Sequence, residues 1–289
     1  MKKFSVTALS VAAISVMLAY PFTKTYGPDE IAIEKSKQKA LSSNDKAKQT
    51  SANTETEEKL DKPYVGKVPN FGQYKDVKQK KTAFFNYLRP VVVEKNNQIL
   101  AHRTKLLTFA ERLGLEDVLS DEEVMWLNEL AKQYRVKNIH SPMLKIQKLL
   151  NRVDIVPVEL VLVQGANESA WGTSRFAREG LNLFGMWCYR KGCGIVPSSR
   201  TEGMTHEVAS YDSLEQAVSA YLRNLNTNNA YLVFRNIREQ LRASGQPLSA
   251  EILATGLLPY SERGSDYVLE LTNMLRHNQA YFYGESTAP

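Results

Sequence analysis

The chain has 289 residues, of which 43% are hydrophobic and 24% charged, enough for one sizeable folded domain with tails or for two small ones. The net charge of +6 suits an acidic polymer or an anionic membrane face. No helix-turn-helix, zinc-finger or RNA-binding signature accompanies it, so nucleic acid is not an expected partner. The four histidines (His102, His140, His206, His277) are scattered without metal-ligand spacing, so no metal site and no cofactor are expected.

In chain order, Lys2 and Lys3 precede an uncharged apolar stretch over residues 4–22, followed by Lys24. A positive head on such a segment is what an export machinery reads, and its length is close to a bilayer span. Met17 spoils a small-x-small cleavage site, so an uncleaved signal anchor is preferred over a cleaved signal peptide for residues 1–26. The polar tract that follows cannot bury enough surface to offset its ordering entropy, and residues 27–62 read as a flexible tether. Residues 63–289 remain as one folded unit with a helical N-terminal extension.

Within it, Ala83, Phe84, Tyr87 and Leu88 form an apolar stripe broken by Pro90, and Leu106, Leu107, Ala110 and Leu113 form another stopped by Gly114. Ser120 with Glu123 is a capping box opening a helix through Val124, Leu127, Leu130 and Ala131. Ser141-Pro142 starts a further helix carrying Leu144, Ile146, Leu149 and Leu150. Residues 156–165 are apolar all round and run into Ala166-Asn167-Glu168-Ser169, which favours a buried central helix over a strand. Residues 182–211 hold glycines, Pro197 and both cysteines, and read as a small β-hairpin lobe or irregular loops. Helical periodicity returns over 214–225 and 231–241, and Tyr267, Leu271 and Leu275 mark a last helix. The fold class is mainly α with a small β insertion.

The two cysteines, Cys188 and Cys193, have four residues between them. Export predicts a local disulfide worth roughly 2 kcal/mol, with two free thiols as the alternative. A carboxyl at the end of an otherwise apolar helix, such as Glu168, is costly to ionise. Desolvation there raises its pKa, as a general acid requires. On residue pattern alone a structural glutamate, tied to an arginine such as Arg175, fits equally well.

Glu168-Ser169-Ala170-Trp171-Gly172, then Asn182-Leu183-Phe184-Gly185, then Tyr211-Asp212-Ser213 occur in order at compatible spacings. In combination they resemble the glucosaminidase family of lysozyme-like peptidoglycan hydrolases, glycoside hydrolase family 73. Residues 258–268 resemble one branch of that family, and the resemblance covers roughly residues 80–280. It implies a lysozyme-like α+β fold, with a central buried helix carrying the catalytic acid, Glu168, beside a small β-hairpin lobe. It further implies Asn182 and Phe184 lining the cleft and a second glutamate on the lobe. Glu202 is preferred there because it lies where a hairpin turns, and Glu207 reads instead as a solvated carboxylate. The family's C-terminal tyrosine aligns best with Tyr267, through its spacing to Leu271, and Tyr260 supplies a second phenol. Either could hydrogen-bond the sugar or sit half-buried against the core. Trp187, on the lobe, is the better sugar platform, whereas Trp171, just after the central helix, reads more readily as core.

The implied reaction is endo-β-N-acetylglucosaminidase cleavage of peptidoglycan glycan strands by a monomer held in the periplasm through its N-terminal segment, tethered to the inner membrane or released after signal cleavage. A lytic transglycosylase, an amidase-labelled cell-wall hydrolase and a non-catalytic peptidoglycan-binding protein are the alternatives.

Overall fold

The computed structural model describes residues 67–198, 200 and 203–282. The expected signal segment, the tether and Glu202 lie outside the described residues. The first long element is α1 (Val77–Gly114), capped by the Asp76 carboxylate accepting from the Gln79 N–H at 2.8 Å. It runs straight through Pro90, so the two stripes read from the sequence belong to one helix of 38 residues. A proline inside a helix costs about 3 kcal/mol. Next to it Leu88, Val91 and Val92 are buried, each contributing roughly 1.5–3 kcal/mol. Packing therefore outweighs the break.

Helix α2 (Asp121–Gln133) opens with both arms of the capping box formed between Ser120 and Glu123. Helix α3 (Pro142–Arg152) starts at the Ser141 cap with proline in its first turn; Ile146 and Leu149 are buried, while Leu144 points outward. Helix α4 (Val158–Glu168) is the centre of the molecule, with Leu160, Val161, Leu162, Val163 and Ala166 wholly buried. A short α5 (Arg175–Gly180) leads to the lobe. Its strands β1 (Trp187–Cys188), β2 (Gly194–Ile195) and β3 (Glu207–Ala209) form one antiparallel sheet in the order β1-β3-β2. Trp187 pairs with Val208, and Gly194 with Ala209. Helices α6 (Leu214–Thr227), α7 (Leu232–Ala243), α8 (Ala250–Ala254) and α9 (Ser265–His277) complete the fold. The architecture is mainly helical with a small sheet, as a lysozyme-like α+β fold requires. Helix α4 packs against α1, α8 and α9.

Before α4 the chain is anchored by Asp154, which is 2% exposed. Its carboxylate faces Arg242 at 2.9 Å, Arg103 at 3.5 Å and Arg238 at 3.9 Å, so one acid ties α1 and α7 to the root of the central helix.

Candidate active site

Glu168 ends α4 half-buried, and the residues after it turn the chain away sharply. The Ser169 hydroxyl donates back to the Gly165 carbonyl and accepts from the Gly172 N–H at 2.8 Å. Ala170, Trp171 and Gly172 all have left-handed φ values of 50°, 59° and 74°. Gly172 is required for a second reason, because a Cβ there would lie 2.5 Å from the Phe71 ring. The motif after Glu168 is thus a helix stop that holds the acid at the end of a rigid, buried cylinder.

A second hydrogen-bonded loop brings the opposite side close. Asn182 is 2% exposed. Its amide donates to the Met186 and Ala209 carbonyls, both at 2.8 Å, and accepts from the Phe184 and Met186 N–H groups. All its hydrogen-bonding capacity goes to backbone, so it shapes the loop rather than offering a group to a ligand. That loop turns at Gly185, whose φ is 63°. A Cβ there would sit 3.3 Å from Glu168 Oε2, so glycine leaves the carboxyl open on that side.

The cleft above has a volume of about 1570 Å³ and is lined by Glu168, Phe184, Gly185, Trp187, Tyr260 and Arg223 among others. Trp187 is 52% exposed and stacks on His206 with ring centroids 4.2 Å apart, which leaves it a flat outer face. Phe184 contributes from beneath: its ring is 1% exposed and stacks on Tyr221. Helices α1 and α2 wall the far end through Lys95, His102 and Gln133.

Tyr267 comes from α9 and is 2% exposed. Its hydroxyl is hydrogen-bonded to Glu168 and accepts from Gln164 Nε2 at 2.9 Å. Tyr260 stacks on it with rings parallel within 2° and donates its own hydroxyl to the Phe184 carbonyl at 2.7 Å. Both phenols are therefore committed within the protein. Burial pushes the Glu168 carboxyl above the usual carboxylate range, opposed by the Tyr267 hydrogen bond; Glu270 pushes it up further and the Arg263 guanidinium pulls it down. Arg175, the structural alternative, sends its guanidinium to the Val196 carbonyl instead, at 3.0 Å.

Trp171 is turned away from this cleft. The two left-handed residues at 170 and 171 swing its ring against Phe84 and Phe85, with Lys81 Nζ 5.4 Å above it, so it is packing rather than a platform beside Glu168. Glu207 is not solvated. It is 6% exposed and accepts the Gly192 and Gly194 N–H groups at 3.0 and 2.8 Å, bracing the loop that the Cys188–Cys193 disulfide closes. Among the described residues these three side chains are the one cluster of metal-ligand types. Its sulfurs are consumed by the disulfide and its carboxylate by the two N–H groups. Sequence reading missed Gln164 and Tyr221; the one available signal was a polar amide inside an apolar helix, one turn before Glu168.

The sequence that builds this site has known relatives. The glucosaminidase family profile, described as mannosyl-glycoprotein endo-beta-N-acetylglucosaminidase, matches residues 144–280, from before α4 to beyond Tyr267. Protein bax of Escherichia coli (strain K12) is 34% identical over 213 residues, 73% of this chain and 74% of its own length. The chain belongs to the glucosaminidase family. Its matched segment is accordingly a glycoside hydrolase domain, and a glycan is the class of substrate that the family match implies. No solved structure matches the chain.

Proposed function

We propose that this glucosaminidase-family protein cuts the glycan strands of peptidoglycan as an endo-β-N-acetylglucosaminidase, with Glu168 as general acid. The observation that carries the reading is the Glu168 carboxyl itself: open to the cleft beside Gly185, held from behind by Tyr267, and pushed by burial toward its protonated form. In the proposed reaction Glu168 gives its proton to the glycosidic oxygen as the bond from that oxygen to the anomeric carbon breaks. The oxocarbenium-like centre is met by the substrate's own acetamido oxygen or by a second carboxylate, for which Glu202 is our candidate on sequence grounds. Water then adds its oxygen to the anomeric carbon and returns a proton to Glu168. Trp187, backed by His206, offers the flat surface a pyranose ring stacks on.

We place the protein in the periplasm, tethered by its N-terminal segment. The support is the charged and apolar pattern of residues 2–24 together with a disulfide, which persists in an oxidising envelope. Among the described residues no helix is long and apolar enough to cross a membrane.

The test is digestion of purified sacculi by wild type and Glu168→Gln, with fragments identified by mass spectrometry. Reducing N-acetylglucosamine ends and a loss of about 10²–10⁴-fold in the variant are expected, the range over which general acids contribute. Anhydromuramic ends would make the enzyme a lytic transglycosylase. Equal release by the two proteins would end the catalytic role of Glu168.

A further inference from the structure

Gln164 and Glu168 lie one turn apart on the same face of α4. Gln164 is wholly buried, and both ends of its amide are engaged. The Tyr221 hydroxyl donates to Oε1 at 2.5 Å, and Nε2 donates to the Tyr267 hydroxyl at 2.9 Å. We infer that Gln164 is a positioning residue that fixes the direction of the Tyr267 hydroxyl hydrogen, and so decides which oxygen of Glu168 carries the transferable proton. The inference rests on Glu168 being the general acid.

The argument is one of hydrogen-bond polarity. An amide nitrogen only donates, an amide oxygen only accepts, and a phenol has one hydrogen to give. The fully buried Tyr221 gives its hydrogen to Oε1. Turning the amide over would set that hydrogen against an N–H, at the cost of a buried unsatisfied donor. Nε2 must therefore face Tyr267, whose oxygen accepts and whose hydrogen is left for Glu168. Of the two oxygens of a protonated carboxyl the carbonyl oxygen is the stronger acceptor, so the Tyr267 hydrogen is best received by the oxygen that does not carry the acid proton. The acid proton is held on the other oxygen.

The same chain favours the transfer. Once Glu168 has given up its proton, the Tyr267 hydrogen bond ends on a carboxylate and becomes charge-assisted, roughly twice as strong as before. An interaction that strengthens along the reaction lowers the barrier rather than merely improving binding. The other groups facing Glu168 are Tyr221 of α6, Tyr231 and Tyr260 from the turns beside it, Arg263, and Glu270 of α9. None of these donates to Gln164 Nε2's partner, so the polarity is set through the amide.

The decisive variant is Gln164→Glu in the full chain, assayed against pH on soluble peptidoglycan fragments. It keeps the shape of the side chain but accepts from both tyrosines, drawing the Tyr267 hydrogen away from Glu168. We expect kcat to fall about tenfold or more, the scale of one charge-assisted hydrogen bond, with KM changed less than about twofold. The alkaline limb of kcat moves to higher pH, since Glu168 loses a donor to its ionised form. Tyr221→Phe removes one buried oxygen that does not line the cleft, and it shifts the limb the same way by less. In Tyr221→Phe, which adds no charge beside Glu168, a role in packing alone would lower the melting temperature and leave the limb where it is, and an unmoved limb in that variant overturns the inference. If Gln164→Glu does not fold, Tyr221→Phe decides by the same criterion. Full activity in Glu168→Gln would instead overturn the general-acid reading, a result distinct from either.

Discussion

Asp154 and Glu168 stand at the two ends of the segment that builds the central helix, and both carboxyls are withdrawn from water, yet they are driven in opposite directions. Burial pushes the Asp154 carboxyl up, but the Arg238, Arg103 and Arg242 guanidiniums outweigh it, and the group is held below the usual carboxylate range. Burial also pushes Glu168 up, and what opposes it is one phenol and a more distant arginine, so it stays raised. Desolvation is common to the two. The partner set decides whether a buried acid becomes a permanent anion that pins helices together or a group able to hold and release a proton.

The largest effect that would break this contrast is expected from Asp154→Asn. It leaves Arg238, 1% exposed, without its counter-charge. Losing one member of a buried ion pair costs about 3–5 kcal/mol; the backbone carbonyls that Arg238 also reaches point to the lower end. Denaturant unfolding against pH separates the two acids by sign. The contribution of Asp154 is full above its unfolded pKa of about 3.9 and is lost as pH falls through its lower folded value. Wild type should therefore lose stability below about pH 4 by more than Asp154→Asn does. A raised acid behaves in reverse: its contribution is full below the unfolded value of about 4.3 and is lost as pH rises through the folded one. Glu168→Gln should accordingly equal or exceed wild type in stability at neutral pH while losing activity. A Glu168→Gln protein as destabilised as Asp154→Asn would erase the distinction.

The two sites also differ in how far the sequence exposes them. Glu168 stands out because a carboxylate ends an apolar run and an ordered set of motifs follows it. Tyr267 is found through its spacing to Leu271, and the Ser120 capping box and Ser141-Pro142 start are written in adjacent residues. Asp154 offers no such signal: Arg103, Arg238 and Arg242 lie about 50 to 90 residues away, and only the packing of α1 and α7 makes them neighbours. Pro90 misleads for the same reason, since the burial that overrides it is tertiary. Trp171 was legible as core from its place after the central helix, whereas Asn182 was legible as a motif residue but not as a structural one. Which way an amide faces depends on backbone turns that the local pattern does not specify.

A smaller perturbation is Tyr267→Phe, which strips Glu168 of its one phenol donor and moves it further from the condition of Asp154. One hydrogen bond to a charged group contributes about 1.5–3 kcal/mol, so kcat should fall by at least about tenfold. The alkaline limb of kcat should move to higher pH, because the ionised acid is now less stabilised. An alkaline limb that moved down would mean that Tyr267 accepts from Glu168 instead of donating to it.

The smallest expected effect runs the other way. Glu270 pairs with Arg263 at the edge of the cleft, both side chains well exposed at 39% and 54%, and the two act on Glu168 with opposite signs. Glu270→Gln removes the like charge and frees the guanidinium, giving Glu168 a weak version of the cationic surroundings that Asp154 has. The alkaline limb should shift to lower pH, with kcat at its plateau nearly unchanged since neither side chain touches the reacting atoms. Because the pair is in contact with solvent, the shift must fade with salt. The screening length falls from about 30 Å at 0.01 M to about 3 Å at 1 M ionic strength, so profiles of wild type and Glu270→Gln should converge across that range. The limb moved by Tyr267→Phe, which depends on a buried hydrogen bond, should stay displaced at both salt concentrations. Equal salt sensitivity of the two variants would show that Glu168 is tuned by the surface field and not by its buried partner.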